Sequence, residues 1–466
     1  MNDPWERLQS AFFGSLLRPG DPGYDERRKV YNGLIDRRPA AIASCRGTAD
    51  VVAALQYARE TDLPVAIRGG GHSVAGHGTC DDGLLVDLSD MRGVYVDPAR
   101  RTVRAEGGAL LADVDRTSQL HGLAVPTGQV SMTGIAGLAL GGGLGRLQRK
   151  FGLTCDNLLS AEVVTADGEL LSVTEDSHPD LLWALRGGGG NFGVVTSFEF
   201  AAHPVGPIVV AGLVAYPLDQ APEVMRFLRD FIADAPEELS ADQLFLHTPP
   251  RQDIPEQMHG MPITGVFVCY CGSVEDGLAA VAPLRNFGSP LVDMIMPMPY
   301  VELQRVLDAM NPHGNLHYWT GEYLTDLDDT AIATISDLNG GLFSAHSIVQ
   351  VIPFNARPTT VASDATAFAH RDESWLVHIL GQWTDPAETA AGTAWAKEFG
   401  SQLRAIGTGD VYLNLVTDDE DVDRVQAFWK DGPIERLAQV KAQYDPRNVF
   451  RFNHNIAPAE LMEALV

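Results

Sequence analysis

Basic residues are scarce in this chain of 466 residues. Lysine and arginine total 34 against 61 aspartate and glutamate residues, which gives a formal net charge of −27. A surface of this charge repels the phosphates of nucleic acids and of anionic lipid headgroups. We therefore predict neither a nucleic-acid partner nor a membrane partner for this protein.

Cysteine is also sparse. The five cysteines are Cys45, Cys80, Cys155, Cys269 and Cys271, an odd number that argues against a disulfide framework. Cys269 and Cys271 form a Cys-x-Cys within an apolar run, but no second pair follows at the spacing of a zinc site. The sequence therefore predicts buried thiols and no metal.

Long hydrophobic runs are missing as well. No stretch of about 18 apolar residues occurs, so no membrane-spanning helix is predicted. Residues 1–17 carry charges early and lack both the basic segment and the small-residue cleavage site of a secretory signal. We expect a cytoplasmic protein; the sequence gives no signal for its oligomeric state.

Helices and strands alternate in the first 200 residues. Apolar residues at helical spacing predict a helix from about residue 49, and a second helix is predicted over 110–122, ending at Gly122. Asp167 and Gly168 predict the turn of a hairpin. Short strands are predicted over 64–68, 84–89, 101–108 and 194–200.

The pattern changes after about residue 203, where clusters of glycine stop. Apolar strands are predicted over 208–216, 265–272 and 347–354, and an amphipathic helix over 221–232. Strands that alternate with helices in this way indicate a second domain, in which an antiparallel sheet lies under helices.

Glycine is the residue in excess. It totals 46, about one residue in ten, against a usual share of about 7%. Three clusters account for the excess: RGGGHS over 68–73, LGGGLG over 140–145 and RGGGGNFG over 186–193. Consecutive glycines allow backbone N–H groups to converge on an anion and allow a ligand to approach the chain closely. The phosphate oxygens of a dinucleotide are the ligand atoms expected at these glycine clusters.

The third cluster excludes the most familiar dinucleotide fold. It contains G-x-G-x-x-G at Gly188, Gly190 and Gly193, a pattern that in a Rossmann fold follows a strand and opens a helix. Here it follows a predicted helix and opens a predicted strand. No Walker A motif is present either. A dinucleotide must therefore be held in another way, and His72, directly after the first glycine cluster, is expected near it.

Four long segments resemble the FAD-linked oxidases of the vanillyl-alcohol oxidase and p-cresol methylhydroxylase superfamily, within it the berberine-bridge-enzyme-like branch. They cover residues 64–91, 133–159, 186–200 and 444–456, in the order and spacing of the family. The resemblance implies an α+β fold with a two-part FAD-binding domain of the p-cresol methylhydroxylase type. Residues 1–204 and 411–466 would form that domain, and 205–410 a central substrate domain of antiparallel sheet covered by helices.

The resemblance also implies the cofactor and its contacts. FAD would be bonded covalently to His72 through the flavin 8α-methyl group. The residues implied to contact FAD are Arg68, Gly69, Gly70, Gly71, His72, Ser73, Gly76, His77, Thr127, Thr133, Gly134, Gly137, Gly141, Gly142, Gly143, Asp156, Asn157, Gly190, Asn191, Gly193, Val194, Asn453 and Asn455.

Two departures from the family pattern bear on the chemistry. Many members carry a second covalent link through a cysteine, and Val130 stands at that position here. A single link is therefore expected, which resembles the 6-hydroxy-D-nicotine oxidase type of the family. Relatives often read Y-x-N-Y where this chain has Tyr412, Asn414 and Leu415, so the second tyrosine, a known base in the family, is missing. Our candidate catalytic residues are Tyr412 first, then Asn414, Tyr318 and Gln382.

The resemblance implies an FAD-dependent oxidase. It would take a hydride from a CH–OH or CH–NH group of a small organic substrate and pass the electrons to molecular oxygen, which yields hydrogen peroxide. Two alternatives stay open. One is a dehydrogenase of the same fold that uses another acceptor, and the other is a flavoprotein without turnover.

Overall fold

The computed structural model describes residues 3–250, 254, 256–417, 424–425, 428–429 and 433–463. In this part of the chain, no helix is both long and apolar enough to cross a membrane. The α-helices are α1 (Pro4–Ala11), α2 (Tyr24–Arg27), α3 (Thr48–Thr61), α4 (Leu111–Ser118), α5 (Ile135–Leu140), α6 (Gln148–Phe151), α7 (Pro179–Leu185), α8 (Ala221–Asp234), α9 (Val274–Ala280), α10 (Ala282–Arg285), α11 (Tyr300–Leu303), α12 (Asp329–Asn339), α13 (Arg357–Thr360), α14 (Thr389–Arg404), α15 (Pro433–Tyr444) and α16 (Ala459–Glu463).

Most strands that lie near one another in the sequence belong to the same sheet. They are β1 (Ser15–Leu17), β2 (Ala41–Ser44), β3 (Val65–Arg68), β4 (Leu84–Asp87), β5 (Val94–Asp97), β6 (Thr102–Glu106), β7 (Leu123–Ala124), β8 (Leu158–Val164), β9 (Leu170–Val173), β10 (Val194–Ala201), β11 (His203–Pro204), β12 (Ile208–Pro217), β13 (Leu239–His247), β14 (Pro262–Tyr270), β15 (Val292–Asp293), β16 (Met296–Pro299), β17 (Leu316–Leu324), β18 (Ile348–Pro353) and β19 (Trp375–Trp383).

Two sheets form the first 200 residues. One has the order β1-β2-β4-β3, with β4 parallel to both β2 and β3. The other is antiparallel, with the order β5-β6-β10-β8-β9, and its β8–β9 hairpin turns at Gly168, which has a φ of +82°. Both the hairpin and the helix predicted from residue 49 are present. The RGGGHS cluster follows β3, where the chain leaves the first sheet.

The central part of the chain forms an eight-stranded antiparallel sheet. Its order is β15-β12-β14-β13-β18-β19-β17, and β16 also pairs with β12. Because side chains alternate along a strand, the sheet has two distinct faces. One face packs against α8, whose buried residues Val224, Leu228 and Ile232 repeat at helical spacing. The other face is free to form the wall of a ligand site.

The α+β fold predicted from the sequence is therefore confirmed. The sheet that contains β10 ends shortly before β12 begins, close to the predicted domain boundary at residue 204. The two predicted domain boundaries, after residues 204 and 410, themselves stay predictions.

Helix α15 connects the C-terminal tail that follows it to the third glycine cluster. The Lys441 ammonium is fully buried and donates to the backbone carbonyls of Asn191, at 2.7 Å, and of Phe450, at 2.9 Å. Its third partner is the Asp445 carboxylate, at 2.7 Å. Burial of an ammonium is costly unless its donors are all satisfied, and here they are. This contact brings the tail beside the glycine cluster.

Candidate active site

A cavity of about 520 Å³ lies between the glycine clusters and the free face of the eight-stranded sheet. This volume is in the usual range for sites that bind cofactors and small molecules. Backbone of the three clusters, the start of α5 and the tail line one side. Side chains of β12, β13, β14, β18 and β19 line the other. The cavity therefore has a backbone-lined half and a half lined by side chains.

The backbone-lined half fits a dinucleotide. Gly137 and Gly190 line the cavity, and a Cβ added to either would meet no protein atom within 4 Å. Their missing side chains therefore leave open space rather than a packed turn. Such a surface lets a bulky ligand lie directly against the backbone. The residues present fit FAD, as the sequence predicts.

Arg68 anchors the first glycine cluster to the sheet. Its guanidinium donates to both carboxylate oxygens of Asp87, at 2.9 and 2.6 Å, and to the carbonyl of Lys29, at 3.1 Å. Burial by itself would raise the pKa of Asp87, but hydrogen bonds and charge from Arg68 and Arg27 outweigh it and lower that pKa. Arg68 thus borders the cavity, but its guanidinium is paired with Asp87 and holds the first glycine cluster in position.

His72 is partly exposed to the cavity, but its Nε2 atom is buried. That atom has no hydrogen-bond partner among the described residues. Burial, with a smaller contribution from nearby His313, lowers the pKa of His72 to about 3. The imidazole is therefore neutral at physiological pH, with one nitrogen available to bond to a ligand.

An aromatic stack holds the His72 ring in place. The Tyr31 ring lies against His72, with centroids 3.8 Å apart and planes 16° apart, and against His317 on its other side at 4.5 Å. Burial lowers the pKa of His317 to about 3, and neither of its ring nitrogens has a partner among the described residues. Sequence patterns do not reveal Tyr31 and His317 as site residues, because the two stacked residues are 286 positions apart in the chain.

Tyr412 and Asn414 meet the second glycine cluster. The Tyr412 hydroxyl accepts from the Gly143 N–H at 2.6 Å and from the Asn414 Nδ2 at 3.1 Å. Asn414 Nδ2 also donates to the Leu138 carbonyl at 3.1 Å. Burial raises the pKa of Tyr412 well above its ordinary value, although these donors favour the ionised form. Tyr412 is therefore a neutral phenol at physiological pH, with two donors directed at its oxygen.

The free face of the sheet adds polar groups that the sequence analysis did not select. His378 lies at the cavity on β19, and Gln350 is its direct cross-strand partner on β18. Trp319 meets the His378 ring edge to face, with centroids 5.2 Å apart. His378 Nε2 and Trp319 Nε1 are buried and have no partner among the described residues. Burial lowers the pKa of His378 to about 3, so its imidazole is neutral. Residues 375–383 alternate, which puts His378 on one face of a strand, but sequence alone does not tell which face meets the cavity.

Most of the residues predicted to contact FAD line the cavity, as do two predicted catalytic residues. They are Arg68, Gly69, Gly70, Gly71, His72, Ser73, His77, Thr133, Gly134, Gly137, Gly141, Gly190, Asn191, Gly193 and Asn453, with Tyr412 and Asn414. The predicted residues that do not line it are Gly76, Thr127, Gly142, Gly143, Asp156, Asn157, Val194, Asn455, Tyr318 and Gln382.

Seven of these outliers have structural surroundings of their own instead. Asp156 forms a nearly buried ion pair with Arg371, at 2.6 Å. The Asn157 Oδ1 accepts from His203 Nε2, and its Nδ2 donates to two backbone carbonyls. Thr127 donates to the buried Asp115 carboxylate at 3.3 Å. Gly142 and Gly143 pack against Phe368, Tyr412 and Thr154, and Gly76 packs against Ile35. Val194 lies in a hydrophobic core.

The proposed catalytic roles of Tyr318 and Gln382 do not fit their positions. Tyr318 points to the face of the sheet that packs against helices, in a core with Trp383 and Phe399. Gln382 lies at the far end of β19, where its backbone N–H donates to Ser347 Oγ at 3.2 Å. Neither side chain reaches the cavity, so neither is retained as a base.

Three potential metal ligands lie together outside the cavity. One ligand atom from each of His370, Glu373 and Asp410 lies within 4.8 Å of the others. A hydrogen bond of 2.8 Å between His370 Nδ1 and Glu373 Oε1 accounts for two of them. The absence of a metal stays a prediction.

The fold and the glycine-lined cavity define a dinucleotide-binding protein, and comparison with known proteins shows its class. A family model described as an FAD binding domain matches residues 39–174, and one described as "Berberine and berberine like" matches residues 411–457. The chain is 32% identical to an uncharacterised FAD-linked oxidoreductase, YgaK, of Bacillus subtilis, over 96% of this chain and 97% of the relative. It is 30% identical to (R)-6-hydroxynicotine oxidase of Paenarthrobacter nicotinovorans, over 96% of this chain and 97% of the relative.

Solved structures agree with these relatives. The crystal structure of 6-hydroxy-D-nicotine oxidase from Arthrobacter nicotinovorans superposes with a TM-score of 0.86 at 28% identity, over 96% of this chain and 98% of that one. Glucooligosaccharide oxidase from Acremonium strictum, described with a 6-S-cysteinyl, 8α-N1-histidyl FAD, gives 0.85 at 25% identity, over 98% and 99%. The chain belongs to the FAD-linked oxidoreductases of the berberine-bridge-enzyme-like branch, and FAD is its cofactor.

Proposed function

We propose that this protein is an FAD-dependent oxidase. It takes a hydride from a CH–OH or CH–NH group of a small organic substrate, and molecular oxygen then accepts the electrons as hydrogen peroxide. One observation carries the proposal: His72, with its buried unpartnered Nε2, opens onto the same cavity as the glycine-lined surface and the polar groups of the sheet. Two relatives named as oxidases support the same reaction class.

We further propose that FAD is attached by one covalent bond, from His72 to the flavin 8α-methyl group. A neutral imidazole is the reactive form for such a bond, and burial keeps His72 neutral. The histidyl FAD named for glucooligosaccharide oxidase supports this type of linkage. All five cysteines are buried, and none lines the cavity, whereas Val130 does. The second, cysteinyl link is therefore not expected.

Bound flavin supplies hydride acceptance and transfer of electrons to oxygen. The protein must hold the substrate and remove one proton from its hydroxyl or amine. Two cavity residues are suited to that removal. Tyr412 is the residue chosen from the sequence, and the Gly143 N–H and Asn414 amide would stabilise its phenolate. His378 is the residue added by the structure, and its neutral imidazole accepts a proton without prior ionisation.

The test of the proposed reaction uses the purified holoprotein in stopped flow. Anaerobic mixing with alcohols, sugars and cyclic amines should bleach the oxidised flavin with at least one class. Mixing the reduced protein with air-saturated buffer should restore the flavin rapidly and release one peroxide per flavin. Slow reoxidation by oxygen together with fast reoxidation by a quinone would identify a dehydrogenase. A flavin that no substrate bleaches would contradict an enzymatic role.

A further inference from the structure

The sheet-lined half of the cavity is almost wholly apolar. Its wall includes Leu213, Leu244, Leu246, Phe267, Met298 and Leu380. These side chains come from five different strands and cover the face opposite the helices. A carbohydrate site would need hydrogen-bond partners along its length, because a buried hydroxyl without a partner loses affinity. This wall provides none over most of its area.

Charge is also missing from the cavity. Among the described residues that line it there is no aspartate, glutamate or lysine. The single arginine, Arg68, directs its guanidinium to Asp87. A protonated amine would therefore enter without a carboxylate to compensate its charge, and an unpaired buried charge is among the costliest groups to bury. A carboxylate or phosphate on the substrate would likewise lack a free cation.

Hydrogen-bonding groups are concentrated at one place on the sheet. Gln350 Nε2 donates to Gln129 Oε1 at 2.9 Å and to Asp242 Oδ2 at 3.0 Å. Gln129 Nε2 donates to the same Asp242 oxygen at 3.2 Å, and Arg146 pairs with it at 2.9 Å. Since an amide nitrogen has two hydrogens, the Gln350 group left for a ligand is its carbonyl oxygen.

Gln350 and His378 thus form a polar patch that suits one small neutral group. His378 stands beside Gln350 in register and supplies an imidazole whose Nε2 has no partner among the described residues. One acceptor and one neutral imidazole can bind and deprotonate a single hydroxyl. Most of the remaining wall buries hydrocarbon, and its other polar residues are Thr248, Asn311 and Trp319.

We propose that the substrate is an uncharged, largely apolar molecule with a single oxidisable CH–OH group. This deepens the proposed oxidase function and rests on it. The carbon loses a hydride to the flavin, the hydroxyl loses its proton to a cavity base, and the C–O single bond becomes a carbonyl. Oxygen takes the two electrons and two protons as hydrogen peroxide. The hydroxyl lies at the Gln350–His378 patch, and the body of the molecule lies against the leucine, methionine and phenylalanine wall.

A compound series tests the substrate class with the wild-type holoenzyme. Primary alcohols of increasing chain length, an arylalkyl alcohol, cellobiose and pyrrolidine should be compared by anaerobic flavin reduction. Each buried CH₂ should lower KM about three- to fourfold until the cavity is filled. Cellobiose and the protonated amine should show kcat/KM about 100-fold or more below the best alcohol. Preference for either of those two would overturn the substrate class while it leaves the oxidase reaction intact.

Binding without turnover separates the two proposals. A long-chain ketone and a sugar lactone, whose carbonyl carbons have no hydride to give up, should be titrated while the flavin absorbance is monitored. Tight binding of the ketone but not of the lactone supports the apolar site. This conclusion holds even if no alcohol reduces the flavin, because a failure of reduction contradicts only the oxidase reaction. Tighter binding of the lactone contradicts the apolar site.

A pair of matched variants tests the wall itself. Leu244→Asn keeps the side-chain size but adds an amide, and Leu244→Met keeps the site apolar. The asparagine variant should raise KM for the best alcohol about tenfold or more, while the methionine variant changes it less than about threefold. Both should retain FAD. Leu246→Asn serves as a second position should Leu244→Asn not fold. An unchanged KM in a folded asparagine variant would contradict the proposal.

Discussion

Gly70 and Gly134 lie backbone against backbone at the edge of the cavity. A Cβ on Gly70 would lie 2.5 Å from both the Cα and the N of Gly134. No side chain fits between the two, so two chain segments 64 residues apart can meet only because both carry glycine here. The contact sets the first glycine cluster against the start of α5, and both border the cavity.

We predict that Gly70→Ala destabilises the fold. The added methyl overlaps the Gly134 backbone, which cannot move as a flexible side chain would, and overpacking of this kind costs about 1–3 kcal/mol. Urea unfolding of the apoprotein should show a lower midpoint, and FAD uptake should fall with it.

Gly137→Ala is the matched control. No protein atom lies within 4 Å of its added methyl, and alanine favours a helix over glycine by about 0.5–1 kcal/mol. The apoprotein should be as stable as wild type or more so, yet bind less FAD because the methyl occupies cofactor space. Equal FAD uptake by wild type and Gly137→Ala would show that the cofactor lies elsewhere.

His72→Ala should abolish the covalent attachment of FAD. The mass of the denatured wild-type protein should exceed the chain mass by one FAD, and the variant should show the chain mass alone. His77 lines the same cavity five residues later, so His77→Ala should keep the increment and serve as control. An increment that survives in His72→Ala, or is missing from wild type, would refute the linkage.

The pH profile should identify the base. Burial raises the pKa of Tyr412, so a tyrosine base would make kcat/KM rise with pH throughout the neutral and alkaline range. Burial lowers the pKa of His378 to about 3, so a histidine base would give a flat profile from about pH 5 upward. Loss of the true base should lower kcat by about 10²–10⁴.

Tyr412→Phe and His378→Asn are the variants for this comparison. A profile that rises with pH and is lost in Tyr412→Phe supports the tyrosine, and a flat profile with loss in His378→Asn supports the histidine. Full activity in both variants would exclude either residue as the base.

Asp115 should make stability depend on pH. Burial raises its pKa to about 7, whereas an unfolded aspartate titrates near 4. Between these values the folded protein binds the extra proton, so the free energy of unfolding falls as pH rises from about 4 to 7, by at most about 4 kcal/mol.

Asp115→Asn should remove this pH-dependent part of the free energy of unfolding. The variant should lose less stability than wild type between pH 4 and 8 in urea titrations, while an amide can still bond to Thr127 and Gln304. Identical pH slopes in the two proteins would show that Asp115 does not carry the effect.

Local patterns predicted much of this architecture. Helical spacing predicted α3 and α8, and Asp167-Gly168 predicted a hairpin. The resemblance pointed to FAD, and most of the predicted contact residues line one cavity. Thr127 and Asp156 do not line it, because motif position does not reveal whether a side chain faces the ligand or the neighbouring core.

The sequence by itself determined the cofactor class, the glycine-rich surface and the candidate attachment residue, since these follow from short motifs whose backbone freedom is local. Tertiary structure alone decided that Tyr31 lies against His72, that Tyr318 faces helices, and that His378 meets Gln350 at the cavity. The physical reason is that a strand has two faces, and which of them meets a ligand depends on what packs against the other.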